Sequence, residues 1–181
     1  MPRRVSRSKG WGEGENNKTP PPCLPHQGGG ETFRRAGRET FAEVSYHEEG
    51  IAIIVHKGGC HCGKVRFEVT APAKITVSQC NCSICRNSGH LGLIVPGDKF
   101  KLLRGEESLV TYQFNTGTAK HLFCSHCGVK AFYVPRSHPD GFSVHAGCLD
   151  PGTVEEMEIV PFDGQEWEKQ YPEGRAGAYP Q

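Results

Sequence analysis

Residues 60–70 read Cys60-His61-Cys62-Gly63-Lys64-Val65-Arg66-Phe67-Glu68-Val69-Thr70, a C-x-C turn running straight into strict alternation. Val65, Phe67 and Val69 share one face and Lys64, Arg66 and Glu68 the other, the period-two pattern of a strand with one buried side. On an extended chain the side chains of residues i and i+2 point the same way, so a C-x-C at a strand end aims two sulfurs at one point. Gly63 follows at once and lets the chain turn back without a Cβ clash. The stretch predicts a β-strand leaving a thiol-bearing turn.

Short β-like runs continue downstream over 75–78, 91–95, 100–103, 109–114, 121–123, 131–134, 142–145 and 158–162. Pro96-Gly97-Asp98, Arg104-Gly105-Glu106, Asn115-Thr116-Gly117 and Pro139-Asp140-Gly141 punctuate them as turns. Such a series of short strands predicts an all-β domain. The single helix expected begins near Asp163 or Gly164, with Asp163 as its N-cap, and runs through Trp167 to Gln170.

Two further clusters accompany the first: Cys80-Asn81-Cys82-Ser83-Ile84-Cys85, a C-x-C-x-x-C, and Cys124-Ser125-His126-Cys127-Gly128, a C-x-x-C closed by glycine. Zinc takes four ligands in a tetrahedron with Zn–S of roughly 2.3 Å, a demand that two cysteine pairs meet. Neighbouring C-x-C thiols are too close for an unstrained disulfide. Seven clustered cysteines divide into four and three. Cys60 and Cys62 with Cys124 and Cys127 form the expected closed, structural site. Cys80, Cys82 and Cys85 form an open one, with a position left for water or substrate. Two zinc ions per chain follow. A redox dithiol set is the competing reading. Cys148, or a histidine such as His61, His90, His126 or His145, could close the second site. Asn81 and Ser83 lie between ligands and are candidates for orienting them, or are plain turn residues. His90 is a candidate proton carrier and Arg86 a candidate partner for a substrate carboxylate, or a solvated surface arginine.

The bulk properties fit one domain with a tail. The chain has 181 residues, and apolar types make up only 36% of it, so metal sites would supplement a modest core. Residues 1–49 hold Pro20-Pro21-Pro22, Gly28-Gly29-Gly30 and scattered charges without periodicity, and read as a disordered basic tail. Residues 50–172 are the expected zinc-binding domain and 173–181 a flexible end. With 21 basic and 20 acidic residues the formal charge is +1, which provides no whole-molecule field for nucleic acid or acidic lipid. No secretory signal or membrane span is read in the sequence, which predicts a soluble protein of the cytoplasm and/or nucleus with no membrane partner.

Gly58-Gly59-Cys60-His61-Cys62-Gly63, Cys80-Asn81-Cys82-Ser83-Ile84-Cys85-Arg86 and Phe123-Cys124-Ser125-His126-Cys127-Gly128 together resemble the glutathione-dependent formaldehyde-activating enzyme family. Phe100-Lys101-Leu102-Leu103-Arg104-Gly105, Thr111-Tyr112-Gln113-Phe114-Asn115-Thr116, Cys148-Leu149-Asp150 and Trp167-Glu168-Lys169 resemble its centromere protein V branch most closely. The resemblance covers about residues 56–172. It implies a mainly β, folded-over domain of the Mss4-like (β-tent) kind. It also implies a structural zinc on Cys60, Cys62, Cys124 and Cys127 and a catalytic zinc on Cys80, Cys82 and Cys85. The implied activity is that of a carbon–sulfur lyase, joining glutathione and formaldehyde as S-(hydroxymethyl)glutathione. The branch implies an alternative, a non-catalytic zinc scaffold acting with microtubules or chromatin.

Overall fold

Val65, Phe67 and Val69, the alternating apolar face, are all 0% exposed. The computed structural model that places them describes residues 45–46, 52–174 and 179. The expected tail over 1–49, apart from residues 45–46, and much of the expected flexible end over 173–181 lie outside the described residues.

The strands are β1 (Ser45–Tyr46), β2 (Ala52–Gly59), β3 (Arg66–Pro72), β4 (Lys74–Cys80), β5 (Leu91–Pro96), β6 (Phe100–Arg104), β7 (Leu109–Tyr112), β8 (Lys120–Cys124), β9 (Phe132–Val134), β10 (Gly141–His145) and β11 (Glu156–Phe162). Two short helices complete the set, α1 (Ser83–Asn87) and α2 (Trp167–Gln170). β1-β2-β3-β6 form an antiparallel four-stranded sheet. The second sheet runs β11-β4-β5-β10-β9-β8-β7 and is antiparallel except where β11 lies parallel to β4. The mainly β architecture with a short C-terminal helix is the one expected.

The chain changes sheets at Ala73, a single buried residue between β3 and β4. That fold-over lets one core serve both sheets. Phe67 and Phe100 come from the four-stranded sheet, Phe132 and Phe142 from the other. Phe67 meets Phe132 edge-on at 5.7 Å, and Phe100 stacks on Phe142 at 4.3 Å. Val77, Leu93 and Val144 are buried in the same cluster. Offset and edge-on rings of this kind add to the burial itself.

Several elements differ from the sequence expectation. Ala52–Gly59 is strand although it is not among the expected runs, because β3 pairs along its length. The strand expected over 109–114 ends at Tyr112. Asp163 does not cap the last helix. Its carboxylate accepts from Asn81 Nδ2 at 2.8 Å, and a 3-10 turn over Gly164–Glu166 precedes α2. α1 was not expected, since five residues are too few to show a helical period. Among the described residues no helix is long and apolar enough to cross a membrane.

The shared core generates a direct test. Phe67→Ala removes a ring that touches both sheets and is expected to cost about 3–5 kcal/mol of stability in denaturant unfolding.

Candidate metal centres

Two hairpin turns face each other across the sheets. In the first, between β2 and β3, Cys60 N–H donates to Val65 C=O at 3.1 Å and Gly63 N–H to Cys60 C=O at 3.0 Å. In the second, between β8 and β9, Cys124 N–H donates to Val129 C=O at 3.0 Å and Gly128 N–H to Cys124 C=O at 2.8 Å. Gly63 and Gly128 have φ of 73° and 72°, left-handed values that explain the glycine after each cysteine pair. The four sulfurs of Cys60, Cys62, Cys124 and Cys127 all lie within 4.8 Å of one another. Cys60 Sγ is 3.5 Å from Cys62 Sγ, which is 3.7 Å from Cys124 Sγ. A tetrahedron with Zn–S near 2.3 Å has edges of about 3.8 Å. The donor set therefore fits zinc, and Val65 N–H, 3.3 Å from Cys60 Sγ, adds a donor to one sulfur.

The second group is local. Cys80 ends β4, Cys82 stands at the N-terminus of α1 and Cys85 lies inside it, and their sulfurs also meet within 4.8 Å. Cys82 N–H approaches Cys80 Sγ at 3.4 Å. The Cys82 thiol is pulled far below its usual range, chiefly by the Cys80 and Cys85 thiols, with the Cys85 and Ile84 amides adding to the effect. Among the described residues no further Cys, His, Asp or Glu ligand atom joins either group. The three-sulfur set fits a metal with one coordination position left open.

The C-terminal segment holds this cluster in place. Asn81 N–H donates to Phe162 C=O at 3.1 Å, and Asn81 Oδ1 accepts from Gln165 N–H at 3.0 Å. Gly164 lies so close that a Cβ there would overlap Cys80 Sγ and stand 3.2 Å from Cys82 Cβ.

Cys80, Cys82 and Cys85 open onto a cavity of about 960 Å³, large enough for a tripeptide-sized ligand. Its wall includes Ser83, Arg86, Phe114, His121, Tyr133, Arg136, Phe162, Trp167 and Glu168. The Arg136 guanidinium lies 3.6 Å over the Trp167 ring and donates to Glu168 Oε1 at 2.9 Å. His121 is 3% exposed and stacks between Phe114 and Tyr133. Burial, helped by the charge of Lys130, lowers its pKa to about 4, so the ring is neutral at neutral pH.

The other residues singled out from sequence fall as follows. His61 and His126 are exposed on the two hairpin turns. Cys148 stands near Cys60 and Cys127, not the three-cysteine group, and burial raises its thiol to about 11. His145 Nδ1 accepts from Leu91 N–H at 3.2 Å. His90 is 4% exposed, shares a hydrogen bond with Ser143 Oγ at 3.0 Å and does not line the cavity. It is therefore not placed to carry a proton there. Ser83 and Arg86 do line the cavity, and Asn81 ties the cluster to the C-terminal segment. His121, Tyr133 and Arg136 carry no local spacing signal, because the β8–β9 hairpin and the residues after it reach the wall only through the fold, about forty to fifty residues along the chain from the three cysteines.

Comparison with known proteins identifies relatives of the chain. The family model for glutathione-dependent formaldehyde-activating enzyme matches residues 55–167. A candidate glutathione-dependent formaldehyde-activating enzyme of Halomonas elongata is 29% identical over 122 residues, 61% of this chain and 78% of that protein. A crystal structure of a Rhodobacter sphaeroides protein is 34% identical, with a TM-score of 0.48, covering 57% of this chain and 99% of that one.

The close approach at Gly164 makes it a sensitive position. Gly164→Ala is expected to push Cys80 aside and remove about one zinc equivalent per chain, leaving the four-cysteine site loaded. Metal content by mass spectrometry of the folded variant checks this.

Proposed function

The chain belongs to the glutathione-dependent formaldehyde-activating enzyme family, and on that premise we propose that it is a zinc carbon–sulfur lyase-type enzyme making and breaking a thiol–aldehyde adduct such as S-(hydroxymethyl)glutathione. One observation carries the reading: three sulfurs converge at a cavity of about 960 Å³ with no fourth protein ligand among the described residues. A zinc ion held by Cys80, Cys82 and Cys85 supplies Lewis acidity, favouring a thiolate over a thiol or polarising a carbonyl.

The chain's own residues do the rest. In the synthetic direction the sulfur forms a bond to the formaldehyde carbon, and the thiol proton ends on the carbonyl oxygen. The reverse breaks that C–S bond and returns the proton. A free thiol with pKa near 8.5 is only about 3% ionised at neutral pH, so ionisation alone gains at most ~30-fold. Orientation can contribute far more, and the cavity wall supplies it. Arg136 donates to Glu168, and its stacking on Trp167 fixes the guanidinium plane. Its remaining N–H groups suit a carboxylate of the tripeptide, with Arg86 a second cation on the wall. Glu168 suits an ammonium. Phe114 and Phe162 give the substrate an apolar flank. His121, neutral and facing the cavity, can hydrogen-bond to the oxygen that receives the proton. A purely scaffolding protein would need the four-cysteine site but would have no use for this cavity.

Glutathione and formaldehyde combine unaided, so the test is acceleration. NMR exchange among glutathione, formaldehyde and adduct should run faster with zinc-loaded protein than without it. The gain should disappear in Cys82→Ala and persist in Cys148→Ala. No acceleration by folded protein carrying two zincs would sink the reading. Arg136→Gln is expected to raise KM for glutathione about tenfold with little change in kcat, since it removes binding shared by ground and transition states.

A further inference from the structure

Lys130 is a lysine in the wrong place for a lysine. It follows the second hairpin turn by three residues, is 4% exposed, and its Nζ has no hydrogen-bond partner. The ammonium lies 4.8 Å from the centroid of the Tyr133 ring. His90 and His121 flank the same ring at 5.0 and 4.9 Å, each with a buried, unpartnered Nδ1. Two neutral imidazoles and an aromatic face do not balance a full charge. Among the described residues no carboxylate forms an ion pair with Lys130. A bare buried ammonium is strongly disfavoured unless opposite charge faces it. His90 N–H also donates to Cys85 C=O at 3.0 Å, which sets this cluster against the three-cysteine group. Burial lowers the Lys130 pKa, and the charges that oppose that lowering are those of Cys85, Cys82 and Cys80, in that order.

We propose that Lys130 is the built-in counter-charge of the three-cysteine site, a positioning residue that makes this buried centre electrically neutral. Three thiolates around a divalent cation leave one net negative charge, and one ammonium cancels it. Cys85 is the most buried of the three sulfur-bearing residues and has the least water to screen its charge. An incoming thiolate then meets a neutral centre and not one that already repels it. The inference rests on reading the three-cysteine cluster as a metal site and does not depend on which thiol is the substrate.

Cobalt(II) titration of the metal-free full chain tests it, because thiolate-to-cobalt absorption reports each site directly. The Cys82→Ala protein gives the spectrum of the four-cysteine site alone, and the three-cysteine site is obtained by difference. Lys130→Met is expected to weaken cobalt binding at the three-cysteine site by about 10–100-fold and to leave the four-cysteine site unchanged. The metal-free Lys130→Met protein should melt no lower than the wild type, since it has lost a buried charge. Lys130→Gln, also uncharged but polar, should show the same selective loss, and it decides the matter if Lys130→Met does not fold. Equal affinity in variant and wild type, or parallel loss at both sites, would overturn the proposal. If wild-type protein took up cobalt at the four-cysteine site alone, the metal reading beneath it would fall, and the wild-type titration by itself would reveal that.

Discussion

Four sulfurs carried by hairpins of two different sheets have to meet within 4.8 Å, and most of the architecture follows from that convergence. Thiols brought so close suffer mutual repulsion on ionisation, so the arrangement calls for a cation at its centre. The geometry suits one, with sulfur separations of 3.5 and 3.7 Å along a tetrahedral edge. Joining the β2–β3 turn to the β8–β9 turn fixes one sheet against the other at that end. The phenylalanine cluster secures the middle. The strands entering and leaving the second turn carry His121 and Tyr133 to the wall of the three-cysteine cavity, with Lys130 in the segment between those strands.

The two cysteine groups divide the work by their reach along the chain. The four-cysteine group joins positions about sixty residues apart and constrains topology, as a long-range cross-link does. The three-cysteine group spans six consecutive residues and constrains almost nothing beyond its own turn. It can therefore leave a coordination position open without weakening the fold, a freedom that a cross-link lacks. Its surroundings are correspondingly specialised: a cavity on one side and a buried polar layer on the other.

What the sequence disclosed follows from the same division. Cysteine spacing is local information, so the two groups and the alternating strand at Val65, Phe67 and Val69 could be read directly. Asp163 misled because its carboxylate accepts from Asn81, a residue 82 positions away, and not from the first turn of its own helix. His121 and Arg136 gave no sign, since their surroundings come from other parts of the fold, Phe114 and Tyr133 for the one and Trp167 and Glu168 of α2 for the other. Lys130 offered a partial one. It stands between the C-x-x-C turn and the buried pair Ala131-Phe132, and a charge set against buried residues is unusual enough to question. Only the fold shows what faces it.

The parallel pairing of β11 with β4 has a consequence for how the protein comes into being. Chains fold from their N-terminus as they are made. Residues 80–85 emerge early and already carry all three sulfurs of the open group. Their covering, Phe162, Gly164 and Gln165, is made some eighty residues later. During that interval the nascent chain displays an uncovered three-thiol chelator, before Lys130 and then the wall are in place. Cys124 and Cys127 also emerge after it, so the four-cysteine site is the second to gain its full ligand set but needs no later segment to finish it. The cavity beside the three-cysteine group is thus the last part of the domain to mature, and the final strand, laid beside one made long before, is what closes it.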